Sequence, residues 1–156
     1  MKLIVFACAM GALGLASPAL GQVRAQDPQS VVRALQAAGY AAELGTDKVG
    51  DPSIRSGVAG VSFTVFFYNC TDHRECATVQ LHSGYRLTKK VSLASINEWN
   101  AGQRFGRAFL DKEGDPIIQM DIDLDDGGIS QALFADNLEF WSSIIGKFHT
   151  HIGYRP

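Results

Sequence analysis

Two cysteines and a histidine lie close together and are the residues with the clearest chemical potential. Cys70, His73 and Cys76 are separated by two residues at each step. Thiolates and imidazoles are zinc ligands, whereas two thiols can also form a disulfide. A closed zinc site needs four ligands, so His82 or a carboxylate would have to complete it, because Cys8 lies in an N-terminal apolar run. We predict a Cys70–Cys76 disulfide, with a free dithiol or a metal cluster as alternatives.

An acidic run from Asp121 to Gly128 resembles the start of a calcium loop. An EF-hand loop that began at Asp121 would need Gly at its sixth position and Glu at its twelfth, where this chain has Asp126 and Ala132. The alternation of Asp with Ile and Leu is instead typical of a strand with an acidic outer face. We therefore predict a strand and no calcium site.

Motifs of common enzyme classes are missing from the sequence. It has no G-x-S-x-G elbow, H-E-x-x-H pair, Walker loop or G-x-G-x-x-G fingerprint. His149 and His151 are two residues apart and do not share a helix face, so we expect them to interact with helix-terminal carbonyls rather than to bind a metal. We expect no catalytic residue, cofactor or metal, and an enzyme with an unrecognised site is the least supported class.

Apolar periodicity predicts three helices. The first starts at Asp27-Pro28, which suits an N-cap and first helical position, and ends at Gly39. The second begins near Ser92 or Ser95, where a capping-box spacing occurs, and ends near Gly102. The third follows Ser130, and its apolar residues recur every three or four positions. These residues are Leu133, Phe134, Leu138, Trp141, Ile144, Ile145, Phe148 and Ile152.

Alternating apolar and polar residues predict strands between these helices. The segment from Gly45 to Gly60 is rich in Gly, Asp, Pro and Ser, so we interpret it as a long connection or an irregular hairpin. The order α-β-β-β-α-β-β-α predicts an α+β domain, an antiparallel sheet of about five strands with helices packed on it. The strands are predicted at Tyr40–Leu44, Val61–Tyr68, Ala77–His82, Arg107–Leu110 and Ile117–Leu124.

The segment Ile96–Ser130 carries a family resemblance. It runs from Ile-Asn-Glu-Trp-Asn into Arg-Phe-Gly-Arg-Ala and then into two strand-like runs that flank Asp-Lys-Glu-Gly-Asp-Pro. In this it resembles the YbjN-domain proteins, a family of bacterial sensory transduction regulators, over most of the chain from Val31 to Phe148. The resemblance implies a fold like that of type III secretion chaperones and a regulatory, non-enzymatic role through protein partners, with a homodimer as one option.

Five residues match the pattern of that family, and we take them as candidates for partner binding. Aromatics at a helix-to-strand junction usually pack into the core, Asn100 would cap the helix end, and Gly106 would let the backbone turn. Arginines beside an aromatic can instead bind the carboxylates of a partner bidentately. We favour core and capping roles for these residues and keep recognition as the alternative. The five residues are Trp99, Asn100, Arg104, Phe105 and Arg107.

The N-terminus has the layout of a secretory signal peptide. Lys2 precedes an apolar run from Leu3 to Leu15, and small residues near Gly21 place the cleavage before Gln22, with Ala25 as a later alternative. We expect residues 1–21 to be removed and residues 22–156 to form a single domain in the periplasm or outside the cell. Residues 22–26 are expected to be disordered. Export favours oxidation of the remaining cysteine pair.

The charge balance argues against two classes of partner. The formal net charge is −2, and the chain has no lysine or arginine run longer than Lys89-Lys90, so nucleic acid and anionic membrane are poor partners once the leader is removed. The first hypothesis is an exported, non-enzymatic module that acts in sensory or stress-related regulation through a protein partner. The alternative is an envelope sensor of redox state or metal that uses Cys70, His73 and Cys76.

Overall fold

Strand residues alternate between buried and more exposed positions, which gives the sheet one face in the core. In the β-branched and aromatic run of the third strand, Phe63, Val65 and Phe67 are buried while Ser62 and Tyr68 are exposed. The computed structural model describes residues 21–155 of the chain. Its elements are α1 (Pro28–Ala37), β1 (Glu43–Thr46), β2 (Pro52–Val58), β3 (Val61–Tyr68), β4 (Thr78–Gly84), α2 (Leu93–Gly102), β5 (Arg107–Leu110), β6 (Pro116–Asp123) and α3 (Gln131–Ile152).

The six strands form one antiparallel sheet in the order β1-β2-β3-β4-β6-β5. The predicted α+β class and antiparallel sheet are confirmed, but the predicted count of about five strands is one too few. The missed strand is β2, which lies inside the predicted connection 45–60 and pairs with β1 and β3. The β1 and β5 strands are the two edges of the sheet.

The helices pack on one face of the sheet. Trp141 of α3 meets Phe63 of β3 edge to face, with ring centroids 5.8 Å apart, and α1 and α2 both contact α3. Ser130 caps α3 as predicted, because its hydroxyl accepts from the Leu133 amide at 3.1 Å. Leu133 itself was predicted to join the apolar stripe but is exposed.

The opposite face of the sheet carries no helix among the described residues, and we call it the open face. Its central row crosses five strands and is polar rather than apolar. The inner members of the row are shielded from water by their neighbours; Gln119, for example, is buried. The row consists of Arg55, Thr64, His82, Gln119 and Arg107.

The segment before α1 is ordered, and the prediction of disorder for residues 22–26 is wrong. The Val23 amide donates to the Ile129 carbonyl at 2.8 Å, and the Ile129 amide donates back at 3.0 Å. Val23 and Ala25 are both fully buried. This short pairing holds the segment beside the β6–α3 connection because burying two apolar side chains offsets the cost of ordering it.

The predicted signal peptide lies outside the described residues except for Gly21. Within residues 21–155, no helix is both long enough and apolar enough to cross a membrane.

Candidate interaction surface

The segment from the end of α2 to the start of β5 contains all five residues predicted to bind a partner, and the structure separates them into two groups. Trp99 faces inward and is 3% exposed. Its ring packs edge to face on Phe148 of α3 at 4.9 Å, and its indole N–H donates to the Gly106 carbonyl at 3.0 Å. Trp99 therefore joins the helix layer to the turn and is not available to a partner.

Asn100 bonds to the edge of the sheet instead of capping its helix. Its side-chain amide donates to the Ala108 carbonyl at 3.0 Å, and its side-chain oxygen accepts from the Ala108 amide at 2.9 Å. Ala108 belongs to the edge strand β5, whose outward backbone groups would otherwise be free to pair with another strand. Asn100 thus closes this edge of the sheet, and the predicted helix-capping role is wrong.

Gly106 is required for close packing rather than for a turn. A Cβ atom at this position would lie 2.7 Å from Cγ2 of Ile144 and 3.1 Å from Cδ1 of Ile118. Any larger side chain would push the turn away from α3 and β6. The predicted role for Gly106 in bending the backbone is therefore replaced by a steric one.

Arg104 and Phe105 face outward, and Phe105 contacts an aromatic residue of α3. The Phe105 ring stacks on Phe140 with centroids 4.6 Å apart and an interplanar angle of 27°. Both phenylalanines are 46% exposed, so the prediction that the junction aromatics are both in the core fails for Phe105. The Arg104 guanidinium carbon lies 5.1 Å from the Phe105 ring centroid. We call Arg104, Phe105 and Phe140 the aromatic corner.

Arg107 lies on the open face, one residue beyond Gly106. Its guanidinium donates to the side-chain oxygen of Gln119 and sits 5.7 Å from the centroid of the exposed Phe109 ring. The Gln119 amide in turn donates to Nδ1 of His82 at 3.0 Å. Burial lowers the pKa of His82, so this imidazole is neutral at pH 7 and can accept that bond. Arg107 is therefore held in place by a side-chain network.

Arg104 and Arg107 have no acidic partner among residues 21–155, a property that they share with Arg24, Arg74 and Arg155. Across residues 21–155, neither Arg104 nor Arg107 forms a salt bridge, whereas Arg33 and Arg55 pair with carboxylates at 2.9 and 2.7 Å. Both Arg104 and Arg107 are exposed. Two solvent-accessible guanidinium groups beside aromatic rings are a common composition for the centre of a protein interface.

Comparison with known protein families identifies a match over most of the chain. A family model matches residues 27–153, and its description is "Putative bacterial sensory transduction regulator". The chain belongs to the YbjN family. The resemblance found in the sequence is therefore confirmed, and this YbjN protein belongs to a family described as regulatory. No curated protein and no solved structure gives a significant match to it.

The cysteine cluster of this YbjN protein forms a disulfide, as predicted. Cys70 bonds to Cys76, which is fully buried, so the two sulfurs are bonded to each other and not arranged around a metal. Nδ1 of His73 lies 2.8 Å from a carboxylate oxygen of Asp51 in the β1–β2 turn. No group of three His, Cys, Asp or Glu side chains in the part of the chain that the structure describes could hold a metal ion.

The other residues considered for metal binding have separate partners. His149 is buried with its Nε2 atom 3.2 Å from the Tyr85 hydroxyl, whereas Nε2 of His151 donates to the Ser95 carbonyl at 2.7 Å. Burial lowers the pKa of His149 and raises the pKa of Tyr85 to about 12. Asp121 accepts from the Gln80 amide at 2.7 Å on the open face, in the predicted strand.

Sequence reasoning missed Phe140, the second ring of the aromatic corner. Phe140 lies one residue before Trp141, off the apolar stripe that α3 buries, so an aromatic out of phase with the helical period was the available signal. Gln119 and Phe109, which flank Arg107, were predicted only as strand residues. The contact of Gln119 with Arg107 depends on strand pairing, for which the local sequence carries no marker, whereas Phe109 lies two residues further along the same strand and so on the same face.

Proposed function

We propose that this chain is an exported, non-enzymatic regulatory module that acts by binding a protein partner at the aromatic corner. The family description supports a regulatory role, and the predicted leader supports a site of action in the periplasm or outside the cell. A disulfide that closes the β3–β4 connection also suits an oxidising compartment.

The observation that carries the proposal is the exposed stack of Phe105 on Phe140. Two large apolar rings remain 46% exposed although the fold buries most of its other aromatics. Phe140 lies on helix α3, and Phe105 lies in a turn that packs closely against the fold at Gly106. Both rings therefore lie on rigid elements. Rigid aromatics beside an arginine lose little conformational entropy on binding, which is why such groups are frequent energetic hot spots.

Affinity capture with matched variants tests this proposal. The full-length chain is produced with its predicted leader in a bacterial host and crosslinked in the cell. The captured proteins are then quantified by mass spectrometry. The test variant is Phe105→Ala/Phe140→Ala, and the control is Leu93→Ala, which removes an apolar side chain that is 73% exposed at the other end of α2. We expect the double variant to lose specific partners that wild type and Leu93→Ala both capture. Equal capture by all three proteins would contradict the proposal.

A redox sensor based on the disulfide is the second candidate. Between β3 and β4, four residues other than glycine have positive φ, a conformation that the closed loop holds. This loop contacts the β1–β2 turn through His73 and Asp51, so opening it would free that turn. The four residues are Asn69, Asp72, His73 and Glu75.

Thiol chemistry distinguishes this candidate from the first. Protein taken from its native compartment is titrated for free thiols and analysed for metal, then reduced with a dithiol and assayed for partner capture. A redox sensor changes its captured set when the Cys70–Cys76 bond is reduced. If the protein is fully oxidised, metal-free and unchanged in capture after reduction, the redox and metal interpretations both fail.

A further inference from the structure

We infer that the partner segment bound at the α2–β5 turn is acidic, with carboxylates that pair with Arg104 and Arg107. This inference rests on the proposed function and names the chemistry of the partner. Its occupant is an extended or helical protein segment that places acidic side chains on both arginines and an apolar side chain on the aromatic corner.

Charge complementarity is the first argument. The chain has 14 Lys and Arg residues against 16 Asp and Glu residues, so carboxylates are not scarce. Arg33 and Arg55 pair with carboxylates at 2.9 and 2.7 Å, whereas Arg104 and Arg107, like Arg24, Arg74 and Arg155, pair with none in residues 21–155. Arg104 and Arg107 differ from those three in that each lies over an exposed aromatic ring. A guanidinium offers a planar fork of donors that fits a carboxylate with two parallel bonds.

The support around each arginine is the second argument. Arg104 lies over the Phe105 ring, and Arg107 is held by Gln119 and lies beside Phe109. The side chains therefore have fewer rotamers to lose when a partner binds, and the rings partly exclude water from the charged contacts. A polar network of this kind fixes the direction in which Arg107 offers its remaining donors.

The position of the two arginines is the third argument. They flank Phe105 and Gly106 in the chain, so one lies at the aromatic corner and the other on the open face beside edge strand β5. Asn100 already occupies the outward backbone groups of Ala108, so a partner strand cannot pair at that residue, and this favours recognition through side chains. Phosphates could also bind guanidinium groups, but the chain has no lysine or arginine run longer than Lys89-Lys90 to follow a nucleic-acid backbone.

Site-specific photo-crosslinking tests the inference. A photoreactive phenylalanine analogue replaces Phe105 in the full chain, and in a control replaces Leu93, which is exposed away from the corner. The crosslinked peptides are identified by mass spectrometry. We expect adducts at position 105 that are absent at position 93 and map to segments rich in Asp and Glu. Specific adducts on neutral or basic segments would overturn this inference but leave the proposed function standing, and no specific adduct at position 105 would overturn both.

A matched pair of charge variants supplies the second readout. In the position-105 probe protein, Arg104→Gln/Arg107→Gln removes the two unpaired arginines, and Arg33→Gln/Arg55→Gln removes the same charge from paired arginines elsewhere. We expect the first pair to lower the adduct yield at least about tenfold, as loss of hot-spot residues does, and the second pair to leave it within about twofold. Urea unfolding of each protein checks that it is folded. Equal losses for both pairs would show a general charge effect and overturn the inference.

Discussion

The two ends of the Trp99–Arg107 segment behave differently although they are adjacent in sequence. Trp99 is buried and bonds to Gly106, and Asn100, although exposed, bonds to the backbone of Ala108, whereas Arg104 and Phe105 are exposed on the outer side of the turn. Trp99 and Asn100 hold the turn in position, and Arg104 and Phe105 lie on its outer side. This difference separates substitutions that should unfold the protein from those that should affect only its partner.

Replacing Trp99 should have the largest effect on stability. Trp99→Ala removes a buried indole that packs on Phe148, so the free energy of unfolding should fall by about 3–5 kcal/mol. Trp99→Phe keeps a ring and loses the bond to the Gly106 carbonyl, so it should cost less. Urea denaturation measures both variants. If Trp99→Ala lowered the free energy of unfolding by less than about 1 kcal/mol, the indole would behave as a surface group, which would contradict this account.

Replacing Asn100 should have the next largest effect. Asn100→Ala removes both bonds to Ala108, and at about 1 kcal/mol for each the expected loss is about 2 kcal/mol. Asn100→Asp can still accept from the Ala108 amide but cannot donate to its carbonyl, so its loss should be intermediate at neutral pH. Urea denaturation gives the order, and gel filtration reports strand-edge association. Equal stability of all three proteins would show that Asn100 does not close the edge.

Acid should lower the free energy of unfolding. Burial lowers the pKa of His149 below its ordinary value of about 6.5, so the unfolded chain binds the proton more readily than the folded chain. This contribution to stability is complete above about pH 6.5 and is lost as the pH falls. Burial lowers the pKa of His82 in the same direction.

A pH series of urea midpoints checks that prediction. The midpoint of wild type should fall between about pH 7.5 and about pH 5.5, and His149→Gln/His82→Gln should fall less over the same range. Tyr85 and Tyr154 both face His149, and Tyr85 stays neutral throughout because burial raises its pKa to about 12. An equal fall in the double variant would assign the acid sensitivity to other groups.

Replacing Arg104 should have the smallest effect on stability. Arg104→Gln removes an exposed guanidinium from the Phe105 ring and leaves no buried group unpaired, so the free energy of unfolding should stay within about 0.5 kcal/mol of wild type. Thermal and urea unfolding measure this. A loss of more than about 1 kcal/mol would show that the outer side also holds the fold together.

The sequence predicted most of the fold because local periodicity is strong in most elements. Strand β3 and helix α3 have apolar residues at the spacing that burial requires, and the structure confirms both. Strand β2 was missed because Pro52, Ser53, Ser56 and Gly57 break the apolar alternation, and only its pairing with β3 makes it a strand.

The candidate site was predicted less completely because its arrangement depends on distant partners. The five residues lie at a helix-to-strand junction, as predicted, but nothing local distinguishes the buried Trp99 from the exposed Phe105. That difference is set by α3, which offers Phe148 to one ring and Phe140 to the other. The role of Asn100 likewise depends on β5 forming an edge of the sheet.

The central claim is that the outer side of this turn binds a partner without holding the fold together. The most direct test measures partner capture and the free energy of unfolding on the same preparation of Phe105→Ala/Phe140→Ala. We predict loss of the specific captured proteins from a variant that remains folded, with an unfolding free energy lower than that of wild type by no more than about 3 kcal/mol, the worth of the stacked pair together with the buried half of each ring. A variant that keeps its partners, or loses them only as far as it loses stability, would contradict the account.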